Sequence, residues 1–318
     1  MRIDGLLIVD KPKGITSLDV VREIKRRFII KKAGHIGTLD PFATGVLPIA
    51  INEGTKLVPF LQEDPKEYEG VMKLGEETTT DDLTGEVVLR RHLDGVTPEA
   101  IESIIQTFHG KIRQTPPMFS AVKVQGKPLY RWARKGVEIE RKEREVEIFN
   151  IEIEEMDLPQ IRFRISCSKG TYIRTLAKDI GRKIGCGAHL TLLRRCRSGP
   201  FTLLQAIPFE KLKAFSKGES LRSCLIPLRE ALSSLREVIG DENLLKKVRC
   251  GKEIAMRDFS SQLLPAFEKG EWLKMSSPDE GLVAILKWEL KEGEKTPWAS
   301  PEKAVLRPLR VFYPEKRI

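Results

Sequence analysis

Alternating apolar and polar residues predict two half-buried strands, at residues 66–74 and 161–167. Continuous apolar runs, which are typical of fully buried strands, occur at 5–10 and 46–51. Strands therefore account for much of the predicted fold. The same reasoning predicts further strands at residues 146–154, 187–197, 281–290 and 305–312.

Apolar residues spaced three and four apart predict helices between these strands. Leu18, Val21, Ile24 and Phe28 mark the buried face of the first helix, for which Ser17 is a suitable N-cap. Thr97-Pro98 opens a second helix with proline at its first position, and Thr171 is a suitable N-cap for a third. A fourth helix is predicted at residues 241–249.

Arg174 stands out in the helix predicted after Thr171. It lies in the first turn, where the positive end of the helix dipole disfavours a cation. A carboxylate partner close to Arg174 would explain its position.

Composition adds that the protein is soluble and basic. The chain has 318 residues, of which 41% are hydrophobic and 31% charged, enough for one large domain and a small one. The formal net charge of +10 favours an anionic partner such as nucleic acid. An acidic membrane surface would fit this charge too, but no strongly basic amphipathic helix is predicted.

Several classes of protein are disfavoured by what the sequence lacks. The N-terminal segment does not resemble a signal peptide, and no stretch approaches the roughly 20 apolar residues of a membrane span. The five cysteines are scattered, as expected for reduced thiols in a cytoplasmic protein. The four histidines lack metal-ligand spacing, and no nucleotide-binding glycine loop is present. We therefore expect neither a metal nor a cofactor.

The segment 34–47 holds the best candidate for chemistry, Asp40. Pro41 keeps the preceding aspartate out of the helical region, and Gly34 and Gly37 permit positive φ or a close approach by another molecule. A short acid on so stiff a loop is well presented to a substrate. Taken alone, Asp-Pro is also a common turn opener, so capping of a turn is an alternative role.

The wider string Gly-His-x-Gly-Thr-Leu-Asp-Pro-x-Ala-x-Gly-Val-Leu resembles the catalytic motif of the TruB family, the tRNA pseudouridine 55 synthases. The resemblance covers essentially the whole chain. It implies an α+β pseudouridine-synthase fold, with a central mixed sheet flanked by helices. It also implies that Asp40 is the essential residue and that uridine is isomerised to pseudouridine without a guide RNA.

Other matches to this family imply roles around Asp40. Tyr68 would stack on the target uracil, although an aromatic in such a strand is as often a core residue. Gly-Thr-Tyr-Ile-Arg-x-Leu implies that Arg174 pairs with the aspartate and that Tyr172 lines the pocket. Leu193, in Leu-x-Arg-x-x-x-Gly-x-Phe, would form an apolar lid.

Two more parts of the family pattern concern the surroundings of this pocket. His35 would fill the space that the target base leaves when it is extruded. Lys11 and Pro12 match a motif that supports the catalytic loop structurally. One departure is Thr79, which stands where the family usually has the first acid of Thr-Asp-Thr-x-Asp, so the role of that acid is in doubt here.

An insertion at about 124–144 interleaves basic and aromatic residues, which suits phosphates and unpaired bases. Its arginines Arg131, Arg134 and Arg141 are the candidate RNA contacts, although a charge run is more often only a solvated surface. In relatives this insertion is a mobile arm that closes on the T arm of tRNA. The implied partner is therefore the T stem-loop of tRNA, bound by a monomer.

The resemblance divides the chain into a catalytic domain at 1–236 and a small PUA-like RNA-binding β-barrel at 237–318. Two alternatives stay open. A non-catalytic tRNA-folding factor would need the basic insertion but not Asp40. A guide-RNA-dependent relative would lack the insertion at 124–144.

Overall fold

The computed structural model describes residues 3–62, 65–215, 221–255, 258–259, 270–290 and 304–313. The strands are β1 (Gly5–Lys11), β2 (Ala33–His35), β3 (Thr44–Ile51), β4 (Lys66–Leu74), β5 (Glu76–Thr78), β6 (Val87–Arg90), β7 (Gly110–Gln114), β8 (Lys123–Val124), β9 (Lys127–Pro128), β10 (Arg144–Asp157), β11 (Gln160–Cys167), β12 (Ala188–Ser198), β13 (Phe201–Thr202), β14 (Ile207–Pro208), β15 (Arg236–Ile239), β16 (Ile254–Ala255), β17 (Trp272–Ser277), β18 (Gly281–Leu290) and β19 (Ala304–Val311). The α-helices are α1 (Ser17–Arg27), α2 (Val58–Leu61), α3 (Pro98–Gln106), α4 (Leu129–Ala133), α5 (Ile173–Ile184), α6 (Phe209–Ala214), α7 (Leu228–Ala231) and α8 (Glu242–Arg249). Short 3₁₀ helices cover Asn52–Leu57, Leu203–Gln205 and Leu221–Cys224.

The central sheet follows the order β14-β1-β3-β12-β4-β11-β10-β7, with β2 added to β3 and β13 to β12. It is mixed, because β12 runs parallel to β3 but antiparallel to β4. The predicted alternation is confirmed in β11, where Phe163 and its period-two neighbours are buried. Gly70 on β4 lies opposite Phe163, and a Cβ there would come within 2.6 Å of the ring. The sheet core thus needs glycine at this position.

Helix α5 packs against β12 and carries Arg174. Its apolar stripe is buried, as predicted, and the helix ends at Gly185 with φ of +100°. Close contact with the start of β12 requires a second glycine, since a Cβ on Gly181 would lie 2.3 Å from the Ala188 nitrogen. The helix is therefore held firmly against the strand.

Two predicted helix caps are wrong, because the side chains concerned bind elsewhere. Thr16, not Ser17, caps α1, and the Ser17 hydroxyl instead binds the main chain of Leu39. The N-cap of α5 is Tyr172, while the Thr171 hydroxyl donates to the Ser168 carbonyl.

The predicted buried face of α1 is partly wrong as well. Val20, Val21 and Ile24 are buried, whereas 48% of Leu18 is exposed. The buried face of the helix therefore includes Val20 and excludes Leu18.

A second sheet, in the order β15-β17-β18-β19-β16, forms the C-terminal part of the fold with α8 packed on it. It has its own apolar core. A third apolar cluster joins the two sheets, since it combines Leu6 and Ile8 of β1 with Ile285 of β18 and with Phe312. The two sheets therefore share a packed contact.

Candidate active site

Asp40 and Arg174 form a two-pronged ion pair at the centre of the site. The Nε atom of Arg174 lies 2.8 Å from one carboxylate oxygen of Asp40, and Nη2 lies 3.0 Å from the other. Such a paired geometry fixes the orientation of the carboxylate as well as its charge. The carboxylate partner expected from the position of Arg174 in α5 is present.

Arg174 also donates hydrogen bonds to the main chain of two other segments. Nη1 donates to the Thr80 carbonyl at 2.8 Å, and Nη2 donates to the Phe119 carbonyl at 3.0 Å. A second carboxylate, that of Asp82, lies 3.6 Å from Nη1 and is almost fully buried. Arg174 therefore lies between two carboxylates, and Asp82 is a site residue that the sequence did not single out.

The acidic turn that carries Asp82 is tied to α5 by two further ion pairs. Lys178 binds Asp81 at 2.8 Å, and Arg182, one helical turn further on, binds Glu77 at 2.7 Å. With Arg174 these cations are four residues apart, so they form one row along the helix. Thr79, at the position of the expected acid, accepts a hydrogen bond from the Glu86 amide instead.

The pKa of Asp40 is raised above its ordinary value. Burial of the carboxylate is the largest cause, and Asp82 adds to it by repulsion. Arg174 and Lys11 oppose these effects by attraction. The reactivity of Asp40 therefore depends on this balance of burial and charge.

The loop that carries Asp40 is fastened on one side by Ser17 and Lys11. The Ser17 hydroxyl binds both the amide and the carbonyl of Leu39, at 2.9 and 3.0 Å. The completely buried Lys11 ammonium donates to the carbonyls of Pro12, Ile15 and Pro41. Burial lowers the pKa of Lys11 to about 8. The contacts of Lys11 and Pro12 agree with the supporting role that the sequence suggested.

Arg195 fastens the other side of this loop, and sequence reasoning missed it. Nε donates to the Val46 carbonyl at 2.7 Å, and Nη2 donates to the Gly37 carbonyl at 3.0 Å. The arginine belongs to a run of cations and was predicted only as part of a strand. Its place two residues after the apolar Leu193 puts both on one face of β12, which was an available signal for burial.

Two tyrosines lie within the electrostatic reach of Asp40. Tyr68 on β4 is buried, and burial raises the pKa of its hydroxyl above the ordinary value. The charge of the neighbouring Arg195 opposes this rise in part. Tyr172 is partly buried, which raises its pKa, and both main-chain polar groups of this residue bind the Gln114 side chain. The charge of Asp40 acts on both phenols.

Leu193 and His35 complete the set of residues that the sequence suggested. Leu193 is buried and lies opposite Gly70 in the pairing of β12 with β4. His35 ends β2, and its Nδ1 atom is buried and makes no hydrogen bond within the described residues. Burial and Arg195 lower the pKa of His35, so its imidazole is neutral at pH 7.

The basic insertion contains the hairpin β8–β9 and the helix α4. Its side chains Arg131 and Arg134 are exposed, and Arg134 also lies over the Tyr130 ring. Arg141 is less exposed, because its guanidinium binds the Pro116 carbonyl and Glu138. The insertion is thus a cationic surface that is held partly by a contact with Pro116 outside it.

Two other properties of the described residues bear on function. None of the helices in this part of the chain combines the length and apolar character needed to cross a membrane. In the same residues, no group of three or more histidine, cysteine or acidic side chains is arranged to hold a metal ion.

The fold is that of pseudouridine synthases. A structure of an H/ACA RNP bound to a substrate RNA containing 2'-deoxyuridine matches 98% of this chain and 86% of its own, with a TM-score of 0.71 and 27% identity. A Cbf5-Nop10-Gar1 complex matches 98% and 85%, with a TM-score of 0.72 and 30% identity. The predicted α+β class, with its mixed central sheet and PUA-like C-terminal sheet, is confirmed.

The chain belongs to the TruB family. Residues 25–173 match the N-terminal domain of TruB family pseudouridylate synthases, and residues 174–233 match the tRNA pseudouridylate synthase B C-terminal domain. A tRNA pseudouridine synthase B of Geobacter sulfurreducens is 43% identical over 98% of this chain and 100% of its own. One from Clostridium tetani is 39% identical over 92% and 98%. The resemblance found in the sequence motifs is therefore confirmed.

Proposed function

We propose that this pseudouridine synthase isomerises uridine 55 in the T loop of tRNA, with Asp40 as the essential carboxylate. The observation that carries the proposal is the ion pair of Asp40 with Arg174, on a loop anchored on both sides. Its relatives, named tRNA pseudouridine synthase B, support tRNA as the substrate. The other carboxylate beside Arg174 in the described structure, that of Asp82, is almost fully buried, whereas Asp40 is partly exposed.

The reaction conserves atoms and electrons. The bond from N1 of uracil to C1′ of the ribose breaks, the base turns, and C5 bonds to the same C1′. The proton on C5 leaves and N1 gains one, so no oxidant, reductant or group donor is consumed. An ionised Asp40 serves as nucleophile or base in this reaction, and Arg174 opposes the rise in the pKa of Asp40 that burial causes.

The target base must leave the folded T loop before it can react. Tyr68 then stacks on the uracil, while Tyr172 and Leu193 line the pocket. Both tyrosines lie close enough to Asp40 to sense its charge, and Leu193 lies on β12 beside the strand that carries Tyr68. His35 fills the space that the base leaves. The His35 imidazole is neutral and half-buried, so it can stack between the neighbouring bases of the T loop more readily than a charged ring could.

The basic insertion closes on the T arm and holds its phosphates. Arg131 and Arg134 supply exposed positive charge. Arg141 contributes less, because its guanidinium is only partly exposed and already pairs with Glu138. We assign catalysis to residues 1–236 and a second RNA contact to the PUA-like part at 237–318. The enzyme acts as a cytoplasmic monomer without a guide RNA, cofactor or metal.

Incubation of the purified protein with an isolated T-arm stem-loop tests this function. We expect pseudouridine at position 55 alone, with the other uridines of the same RNA as internal controls. A stem-loop with cytidine at position 55 should yield no product. Modification at another uridine, or a requirement for an added guide RNA, would overturn the proposal.

A further inference from the structure

Arg195 is the largest side chain that the described part of the fold buries completely, with 1% of its surface exposed. No carboxylate in the described residues lies within ion-pair distance of its guanidinium. A buried cation without a carboxylate is costly, so its hydrogen bonds must offset the loss of water. Two acceptors are the carbonyls of Gly37 and Val46, and the Tyr68 side chain also interacts with this guanidinium.

Those two carbonyls bracket Asp40 in the chain. Gly37 lies three residues before the aspartate and Val46 six residues after it, so one guanidinium joins both limbs of the loop. The main chain of Arg195 is also pressed against Gly45, where a Cβ would come within 2.2 Å of the Arg195 carbonyl oxygen. The contact is therefore too close to admit a side chain at Gly45.

We propose that Arg195 is a positioning residue, whose guanidinium fork ties both limbs of the loop and so fixes Asp40 for the reaction. The inference rests on the proposed role of Asp40. A planar guanidinium presents donors in a fixed fork, whereas a lysine ammonium is a compact charge that does not reproduce this fork. Geometry, and not charge alone, is thus what Arg195 supplies.

The neighbouring arginine provides a matched control. Arg194 lies on the same strand but points to the opposite side, where it binds Asp10 at 2.7 Å and Thr44 at 3.4 Å. Its one contact within the loop is the long hydrogen bond to the Thr44 hydroxyl, and it binds neither of the two carbonyls that Arg195 joins. A second control, Ile151→Ala, creates a cavity in the core on β10, which pairs with neither β3 nor β12.

The test compares Arg195→Lys and Arg195→Gln with these controls under single-turnover conditions. The measurements are the rate of pseudouridine formation, the Kd for tRNA and the thermal midpoint, with rates taken well below each midpoint. We expect Arg195→Lys, which keeps the charge, to slow the rate about 100-fold, as misplacement of a reacting group by about 1 Å does. Its Kd should change less than roughly threefold, and Arg194→Lys should keep a rate within roughly threefold of the wild type.

A merely structural role predicts a different result. In that case the folded fraction of Arg195→Lys would react at the wild-type rate, as we expect of Ile151→Ala. Our proposal also predicts the pH dependence of the rate in Arg195→Lys. Because Arg174 still pairs with Asp40 in this variant, the pH at which the rate falls on the acid side should stay unchanged. A wild-type rate in Arg195→Lys, with Asp40→Asn inactive, overturns the role of Arg195 alone. An active Asp40→Asn overturns the proposed function itself.

Discussion

Arg174 holds both oxygens of Asp40, yet the two side chains differ in their access to solvent. Only 3% of the Arg174 side chain is exposed, against 31% of the Asp40 side chain. The cation is thus part of the protein interior, while the carboxylate faces the region from which a substrate arrives. Arg174 therefore sets the charge and orientation of Asp40 from behind.

Removal of the Arg174 charge should shift the acid limb of the pH–rate profile to higher pH. Burial raises the pKa of Asp40, and Arg174 is the largest effect that opposes this rise. In Arg174→Gln the pKa rises further, so the ionised, active form is lost at a higher pH as the pH falls. Single-turnover rates across a pH series measure this shift. Arg174→Lys, which keeps a charge, should shift the limb less; an unchanged limb in Arg174→Gln would argue against the pairing.

Asp82→Asn should move the same limb in the opposite direction. The negative charge of Asp82 raises the pKa of Asp40, so its removal leaves Asp40 ionised to a lower pH. The rate near neutral pH should fall roughly tenfold, or about 1.4 kcal/mol, because Arg174 loses one of its two carboxylates. The same pH series measures both effects. A shift to higher pH would contradict this account of the charges.

Substitutions of Tyr68 separate stacking from proton transfer. Tyr68→Phe keeps the ring, whereas Tyr68→Leu removes it. Stacking of a base on an aromatic ring is worth about 1–3 kcal/mol, so Leu should lose roughly five- to 150-fold in rate. We expect Phe to lose more than stacking predicts, because burial and Arg195 adjust the pKa of the hydroxyl. Full activity of Tyr68→Leu in single-turnover assays would exclude stacking on the base.

Binding of tRNA should weaken steeply with salt if the insertion grips phosphates. Each neutralised phosphate contributes roughly 0.7–0.9 log units of affinity per log unit of salt. Arg131→Ala and Arg134→Ala should each flatten that slope, because both side chains are exposed. Arg141→Ala should flatten it less and loosen the insertion, since this guanidinium already binds the Pro116 carbonyl. An unchanged slope in the Arg131 and Arg134 variants would show that the insertion is only a solvated surface.

The sequence predicted the parts of the fold that depend on local patterns. Alternation located β4 and β11, and the spacing of apolar residues by three and four located α1 and α5. Caps were less predictable, because hydroxyls such as that of Ser17 had a competing partner across the fold. The apolar pattern likewise did not distinguish the exposed Leu18 from the buried Val20.

The candidate site shows the same division. Arg174 could be assigned a carboxylate partner because its place in the first turn conflicts with the helix dipole. The role of Asp82 could not be assigned, since it depends on Arg174, far away in the chain. The spacing of Arg195 from Leu193 could indicate burial, but not which carbonyls the guanidinium binds.

The most direct test of the account is the activity of Asp40→Asn on tRNA. The amide keeps the size of the side chain but cannot serve as nucleophile or base. We predict no pseudouridine at position 55, with tRNA affinity within roughly tenfold of the wild type, about 1.4 kcal/mol. Retained tRNA binding and folding by this variant would also reveal any separate tRNA-folding role. Product formation by purified Asp40→Asn close to the wild-type rate would contradict the assignment of Asp40 as the essential carboxylate.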